Sequence, residues 1–292
     1  MSDQYKVSVL DHLLLPTEFL NQTDLLKHAN DYSFLFAMIF NGGAANLLSK
    51  KSLPAITDEW DIKVAPAGWA FSIWGVIYTL LGGFVYYQSH SNTEIPGGID
   101  EAVIYGQVGR LFAVNMIANA FWLYLFGQDS SKFFGYALLD DFVMIGSAIL
   151  ILNISTHNHL NNWYENIFFR GGMSIYTGWL STATILNVAF YLKSLGKDTG
   201  NTNVPNEIFW SKIILSVAFL IYNSYSLVER NPLFGAVFVW VLLAIKDKQK
   251  DLTELTSFIE TLLPLHIISD LLIGAFSYYE YRTGTITHGL FL

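Results

Sequence analysis

The 292-residue sequence is 52% hydrophobic and only 14% charged, where soluble domains carry roughly a quarter charged residues, so much of its surface is expected to face something other than water. The net charge is −8 and the Lys and Arg residues are scattered, which excludes a basic nucleic-acid-binding face. Cys is absent, and with it disulfides, thiolate catalysis and Cys-based metal centres.

Residues 1–32 lack the basic n-region, apolar core and small-residue cleavage site of a signal peptide. They read as a peripheral segment, amphipathic at best, resting on a membrane surface. From there the chain offers a series of windows near the roughly 20 apolar residues that a helix needs to cross a bilayer. They fall at 33–48, 66–87, 111–126, 133–154, 173–192, 208–227, 232–245 and 258–281. Eight spans are therefore expected. The apolar runs are continuous, as in FAVNMIANAFWLYLF, and do not alternate as barrel strands do. In lipid a helix satisfies every backbone amide within its own segment. The fold class is thus all-α, a polytopic transmembrane bundle.

Polar Gly/Pro/Asn-containing connectors separate the windows. The one ending in DTGNTNVPNE marks a boundary between a five-helix domain at 33–193 and an extension of about three helices at 194–292. Lys50, Lys51, Lys63, Lys132, Lys193, Lys197, Lys246, Lys248 and Lys250 follow odd-numbered windows. This bias puts those connectors on the cytoplasmic or matrix-like side and the N-terminus outside.

Three windows carry aromatic stripes at helical spacing. Phe71, Trp74, Tyr78 and Gly82 share one face of the second. Asn115, Asn119 and Trp122 share one face of the third. Tyr176, Trp179, Ala183 and Asn187 share one face of the fifth. Rings together with a small residue suit a flat apolar ligand, and a buried Asn can orient its polar edge. The same residues also serve as packing groups, interfacial belts and interhelical hydrogen bonds.

The pattern Pro66-x-Gly68-Trp69-x-Phe71-x-x-Trp74-x-x-x-Tyr78 resembles the second-span signature of the TspO/MBR family, the translocator and tryptophan-rich sensory proteins. Asn119-x-x-Trp122 resembles its third-span motif, and Tyr176-x-x-Trp179-x-x-x-Ala183-x-x-Leu186-Asn187 its fifth. The likeness covers roughly 33–193, and the longer tryptophan-rich sensory branch resembles the chain beyond it. The resemblance implies a five-helix bundle whose pocket binds tetrapyrroles, sterols or synthetic aromatic ligands, with no cofactor required. By motif, Trp74, Asn119, Trp179 and Ala183 fall on pocket-lining positions, with Trp122 and Asn187 close by. Eukaryotic members are often mitochondrial, so the resemblance implies a mitochondrial membrane for a eukaryotic source. The sequence departs from the family at Ala65 and Ile175, where prolines are usual. Val188, Tyr191 and Lys193 fit the permissive cholesterol pattern where the family's sterol motif lies; an interfacial Tyr with a snorkelling Lys looks the same.

Four ionisable residues fall inside windows. Asp140 and Asp141 mark either a proton or cation site within the bundle, or a helix that starts near Asp140 and places carboxylates at its N-terminus. His266 and Asp270, four residues apart, form a local pair or face a partner subunit; they are too few for zinc. His157 and His159 sit in a connector and read as solvated. No phosphate loop, metal-ligand cluster or nucleophile elbow is visible, so no enzymatic activity is expected. No internal repeat of the kind secondary transporters show is visible either. Two functions lead, ahead of a secondary transporter: a membrane protein binding a flat apolar ligand, or a non-catalytic accessory subunit of a larger membrane assembly such as a respiratory complex. The expected partners are lipids, copies of the chain or other subunits.

Overall fold

In a computed structural model the described residues are 23–94, 107–157, 160, 163–198 and 206–284. The segment before residue 23, the connectors at 95–106 and 199–205, and His159 lie outside them. No strand occurs among the described residues, and each of the eight apolar windows lies on helix apart from Pro66 and Ala67.

Helix α1 (Thr23–Ile39) runs into a π-helical turn (Phe40–Ala44) and the short α2 (Ala45–Leu48). Gly43 has φ 152° there, a conformation open to residues without a Cβ, and the helix kinks at that point. Helix α3 (Leu53–Glu59) lies in the connector that follows. A 3₁₀ turn (Gly68–Ser72) leads into α4 (Ile73–Glu94), followed by α5 (Gly109–Phe126) and α6 (Ser131–His157). Pro66 therefore stands in the extended segment before the 3₁₀ turn and not at the first position of a long helix. A π-helical turn (Glu165–Gly171) opens α7 (Gly172–Asp198). Helices α8 (Glu207–Glu229), α9 (Pro232–Lys248) and α10 (Thr253–Arg282) complete the chain. Asparagine side chains start two of these, since Asn206 accepts from the Phe209 amide at 3.1 Å and Asn231 from the Phe234 amide at 3.3 Å. Each thereby satisfies an amide that the first turn leaves unpaired. Pro232, which has no amide to lose, fits the start of α9.

Among the described residues, five helices are long and apolar enough to cross a membrane by themselves: Gly68–Ser89, Gly109–Phe126, Ser131–His157, Glu207–Glu229 and Thr253–Arg282. The expectation of eight independent spans thus divides. Helices α1 and α9 have 17 residues each, and α7 carries Ser, Thr, Tyr, Trp and Asn among its apolar residues. The reason is position: α7 is packed on several sides and need not be lipid-like.

Helices α1, α5, α6, α7 and α4 form a closed ring, each against the next. Helices α8, α9 and α10 pack on one another, and α9 packs on α7 and on the 3₁₀ turn. That second contact is polar at its rim. The Ala67 amide donates to the Ala244 carbonyl at 3.0 Å, the Trp240 indole donates to the Ala70 carbonyl at 3.0 Å, and the Trp69 indole donates to Asp247 at 2.9 Å.

Where α7 meets α9, Gly178 has no room for a side chain. A Cβ there would stand 2.9 Å from Val237 Cγ2 and 3.1 Å from the Phe234 carbonyl oxygen. The Tyr222 hydroxyl also donates to the Gly178 carbonyl. Close backbone approach at small residues is how helices gain packing in lipid, where apolar surface alone provides no drive. Gly178→Val is expected to overpack this contact and cost about 1–3 kcal/mol, read as a lower unfolding temperature in detergent; an unchanged temperature would show that the two helices are not held at this point.

Candidate functional site

A chain of hydrogen bonds crosses the middle of the five-helix ring. Asn41, in the π-helical turn after α1, donates to Tyr78 Oη on α4 and to Asn119 Oδ1 on α5, both at 2.6 Å. Tyr78 donates to Asn119 Oδ1 at 3.2 Å, and Asn119 Nδ2 donates to Tyr176 Oη on α7 at 3.3 Å. Tyr176 donates to Asn115 Oδ1 at 2.6 Å. Asn115 Nδ2 then donates to Ser147 Oγ on α6 at 2.8 Å and to the Met144 carbonyl at 2.7 Å. Every helix of the ring contributes to this network or to the turn that continues it.

Beside the network lies a cavity. Phe71, Trp74, Asn119, Trp122, Trp179, Ala183 and Asn187 line it, with Leu53 and Thr57 of α3. All six residues that the sequence placed at a ligand site therefore surround one space. Its aromatic wall is built of interlocked rings: Trp74 stacks on Tyr78 at 5.0 Å, while Phe71 and Trp74 meet Trp179 edge-on at 5.6 and 6.3 Å. Phe126 and Phe190 close the far end, 5.1 Å apart. Ala183 is the small residue in the wall. The free volume is about 40 Å³, room for roughly three or four waters at about 10–15 Å³ each.

The polar edge of the cavity comes from α5, α6 and α7. Asn187 Nδ2 donates to Asp141 Oδ2 at 2.6 Å. Asn187 Oδ1 is buried and makes no hydrogen bond, and the Trp122 indole is directed at the Asp141 carboxyl. Asp141 itself is fully buried. Helix α6 starts at Ser131, so Asp140 and Asp141 stand well inside it and the reading of a helix that begins near Asp140 does not hold. Buried polar groups gathered at one edge of an otherwise apolar cavity are the kind of feature that orients a bound molecule.

The other sequence candidates lie elsewhere. Val188 and Lys193 line a groove of about 540 Å³ between α7 and α8, with Trp210 and Val217 opposite. Tyr191 instead packs toward Gly135 on α6, so the three residues of the sterol pattern do not form one surface. Lys193 pairs with Glu207 at 3.0 Å. His266 does not bond Asp270. Its Nε2 lies 2.9 Å from the Gly235 carbonyl and its Nδ1 2.9 Å from Asn223 Nδ2. A carbonyl only accepts, so Nε2 carries the proton and Nδ1 accepts from the amide; the ring joins α10 to α8 and α9. Asp270 lies beside Gly235 and Ser226, with Oδ1 buried and unbonded. His157 faces Glu229 at 3.5 Å.

Helix α3, read from sequence as part of a connector, is the main element missed. It caps the cavity with Leu53 and Thr57, and Ile56 and Thr57 are buried. The signal was present in LPAITDEW, whose apolar residues recur at helical spacing. Its anchor is Asp129, which accepts from the Trp60 indole at 2.7 Å and pairs with Lys51 at 2.5 Å. Lys51 pairs as well with Glu59. Burial alone would raise the Asp129 carboxyl, but the Lys51 and Trp60 bonds outweigh it and hold the group below the usual carboxylate range. Asp129 in turn raises the Lys51 ammonium.

Residues 27–274 match the family described as TSPO-like protein. The chain belongs to the TSPO-like protein family. The match extends past residue 194 into α10, beyond the stretch where the motifs were recognisable. No curated protein and no solved structure matches the chain. The ring of five helices, the facing aromatic stripes and the membrane-crossing segments are accordingly those of an integral membrane TSPO-like protein.

Two outcomes test this geometry. Tyr176→Phe keeps the ring but leaves Asn115 Oδ1 and Asn119 Nδ2 each without that partner, with an expected loss of about 0.5–2 kcal/mol, measured as thermal unfolding in detergent; full stability would show the network to be incidental. Asp129→Asn at neutral pH is expected to speed deuterium uptake at Ile56–Trp60. Because the folded-state carboxyl is depressed, its stabilising effect is present above the ordinary carboxylate value of about 3.9 and is lost only as pH falls through the lower folded value. The difference between wild type and variant is thus expected to persist through the ordinary range and to close below it.

Proposed function

We propose that this TSPO-like protein binds a flat, largely apolar ligand, of the tetrapyrrole or sterol class, between α4, α5, α6 and α7 beneath α3. The carrying observation is the convergence of Trp74, Asn119, Trp122, Trp179, Ala183 and Asn187 on one cavity with a buried polar edge at Asp141 and Asn187. Aromatic and aliphatic walls with a few placed polar groups are the usual composition of small-molecule sites. At about 40 Å³ the cavity is closed around a space far below the roughly 300 Å³ of typical ligand sites, so binding requires the walls or α3 to part. The role is one of holding, sensing or moving a ligand rather than of catalysis, in a mitochondrial membrane if the source is eukaryotic.

The same small volume favours a second reading, in which the fold serves as an accessory subunit of a larger membrane assembly and the cavity stays shut. Titration of the purified protein with protoporphyrin and with a fluorescent sterol, followed through Trp emission, separates the two. Saturable quenching or energy transfer by either ligand, weakened several-fold by Trp74→Ala and by Trp179→Ala, supports the pocket. No saturable signal with both, together with migration in a large complex on a native gel in mild detergent, supports the accessory subunit.

A further inference from the structure

The groove between α7 and α8 lies outside the five-helix ring and shares no lining residue with its cavity. Val64, Ile185, Val188, Ala189, Ile214 and Val217 make its walls, and its volume is about 540 Å³. Leu192, Ile213 and Val217 are exposed, so the groove opens outward from the bundle. On α8 it runs over Glu207–Val217, or about 15 Å of helix. That is half of the roughly 30 Å hydrocarbon core of a bilayer, so the groove has the depth of one leaflet. One end of it is charged. Lys63 Nζ lies 2.5 Å from Asp61 Oδ2, and Lys193 Nζ lies 3.1 Å from the Asp61 carbonyl oxygen and 3.0 Å from the Glu207 carboxylate. Asp61 thus gathers both ammonium groups at the mouth of the groove. An ammonium has three hydrogens to donate. Among the described residues Lys63 has one partner and Lys193 two, so neither is saturated. Two bases and two acids leave the cluster without net charge.

We propose that this groove holds one glycerophospholipid whose head carries both a phosphate and a primary ammonium, with an acyl chain laid along the α7–α8 wall. The site stands whether or not the ring cavity takes a ligand. The phosphate accepts from the unused hydrogens of Lys63 and Lys193, and the ammonium of the head donates to the carboxylates of Asp61 and Glu207. Such a head repeats the balance of the cluster, with one charge of each sign against two of each. A quaternary ammonium has no N–H to give the two acids. An acidic head adds a negative charge to a cluster whose own charges already cancel. A sterol brings a single hydroxyl to four charged groups, and Tyr191 of the sterol pattern packs toward Gly135 on α6 and not into this groove. The four charged side chains are partly exposed, and ion pairs in contact with water gain little each. The apolar wall therefore supplies most of the affinity, and the head group a several-fold preference.

The test uses the full chain, delipidated in mild detergent, and native mass spectrometry with added lipids. The probes are dioleoyl phosphatidylethanolamine, dioleoyl phosphatidylcholine, dioleoyl phosphatidylglycerol and cholesterol. One phosphatidylethanolamine is expected to be retained, several-fold more tightly than any of the other three. Val217→Trp, a change at an exposed wall position, is expected to fill the groove and weaken that lipid several-fold. Lys63→Gln combined with Lys193→Gln is expected to weaken all three phospholipids. Asp61→Asn combined with Glu207→Gln is expected to bring the ethanolamine and choline lipids to equal affinity. Choline or glycerol lipid bound by wild type as tightly as the ethanolamine lipid overturns the proposal. So does tighter binding of cholesterol, a failure of all four probes to be retained, or retention that Val217→Trp leaves unchanged. Should either charge variant not fold, the wild-type ranking and Val217→Trp still decide.

Discussion

The five-helix ring depends on hydrogen bonds made where water is absent. Between helices in lipid, apolar side chains gain little over the tails they displace, so specific polar contacts and close packing decide which helix sits beside which. The series Asn41–Tyr78–Asn119–Tyr176–Asn115–Ser147 does this for α1, α4, α5, α6 and α7 at once. Its members are phenol, amide and hydroxyl, all neutral, which avoids the desolvation cost of an ion pair in the same place. The aromatic stripes follow from it. With Tyr78, Asn119 and Tyr176 tied together, Trp74, Trp122 and Trp179, a few residues along the same helices, are brought to the cavity that the ring encloses.

The cavity is the part of the ring that the network does not fill. Aromatic rings form much of its wall, and Leu53 and Thr57 of α3 line it as well. That cap is held by charges where Lys51, Asp129 and Trp60 meet, and Lys248 of α9 reaches the Thr57 carbonyl at 3.4 Å. The wall and the cap are therefore stabilised by different physics. Acid or salt acts on the cap, whereas the ring answers to packing and to neutral hydrogen bonds.

Much of this was legible in the residue order. Continuous apolar runs gave the helices, because a helix in lipid needs only its own amides and an apolar exterior. The spacing of Trp74, Asn119, Trp122, Trp179, Ala183 and Asn187 gave the shared faces, because residues three and four apart lie on one side of a helix. What escaped were facts about neighbours. Asp141 was ambiguous between helix terminus and helix interior, since the apolar window does not mark where its helix begins, and α6 in fact starts at Ser131. His266 and Asp270 have the spacing of a bonded pair, yet the carbonyl of Gly235 and the amide of Asn223 lie nearer to the imidazole. Helix α7 was read as a strong span, but its Tyr, Trp, Thr and Asn residues reflect contact with other helices on both sides. The cap α3 is short enough to pass for a connector until its buried face is seen.

The two-sided packing of α7 has a consequence for biogenesis. One side presents Trp179, Ala183 and Asn187 to the cavity, and the other presents Gly178 and Thr182 to Val237 and Tyr222. Side chains that satisfy both neighbours leave α7 without the uniform greasiness by which a nascent segment partitions sideways out of the translocon. Its insertion is therefore expected to depend on its neighbours, since α4 and α6 on one side and α8 and α9 on the other shelter its polar groups. The order of synthesis, and not the solubility of this one segment in lipid, then governs when the bundle closes.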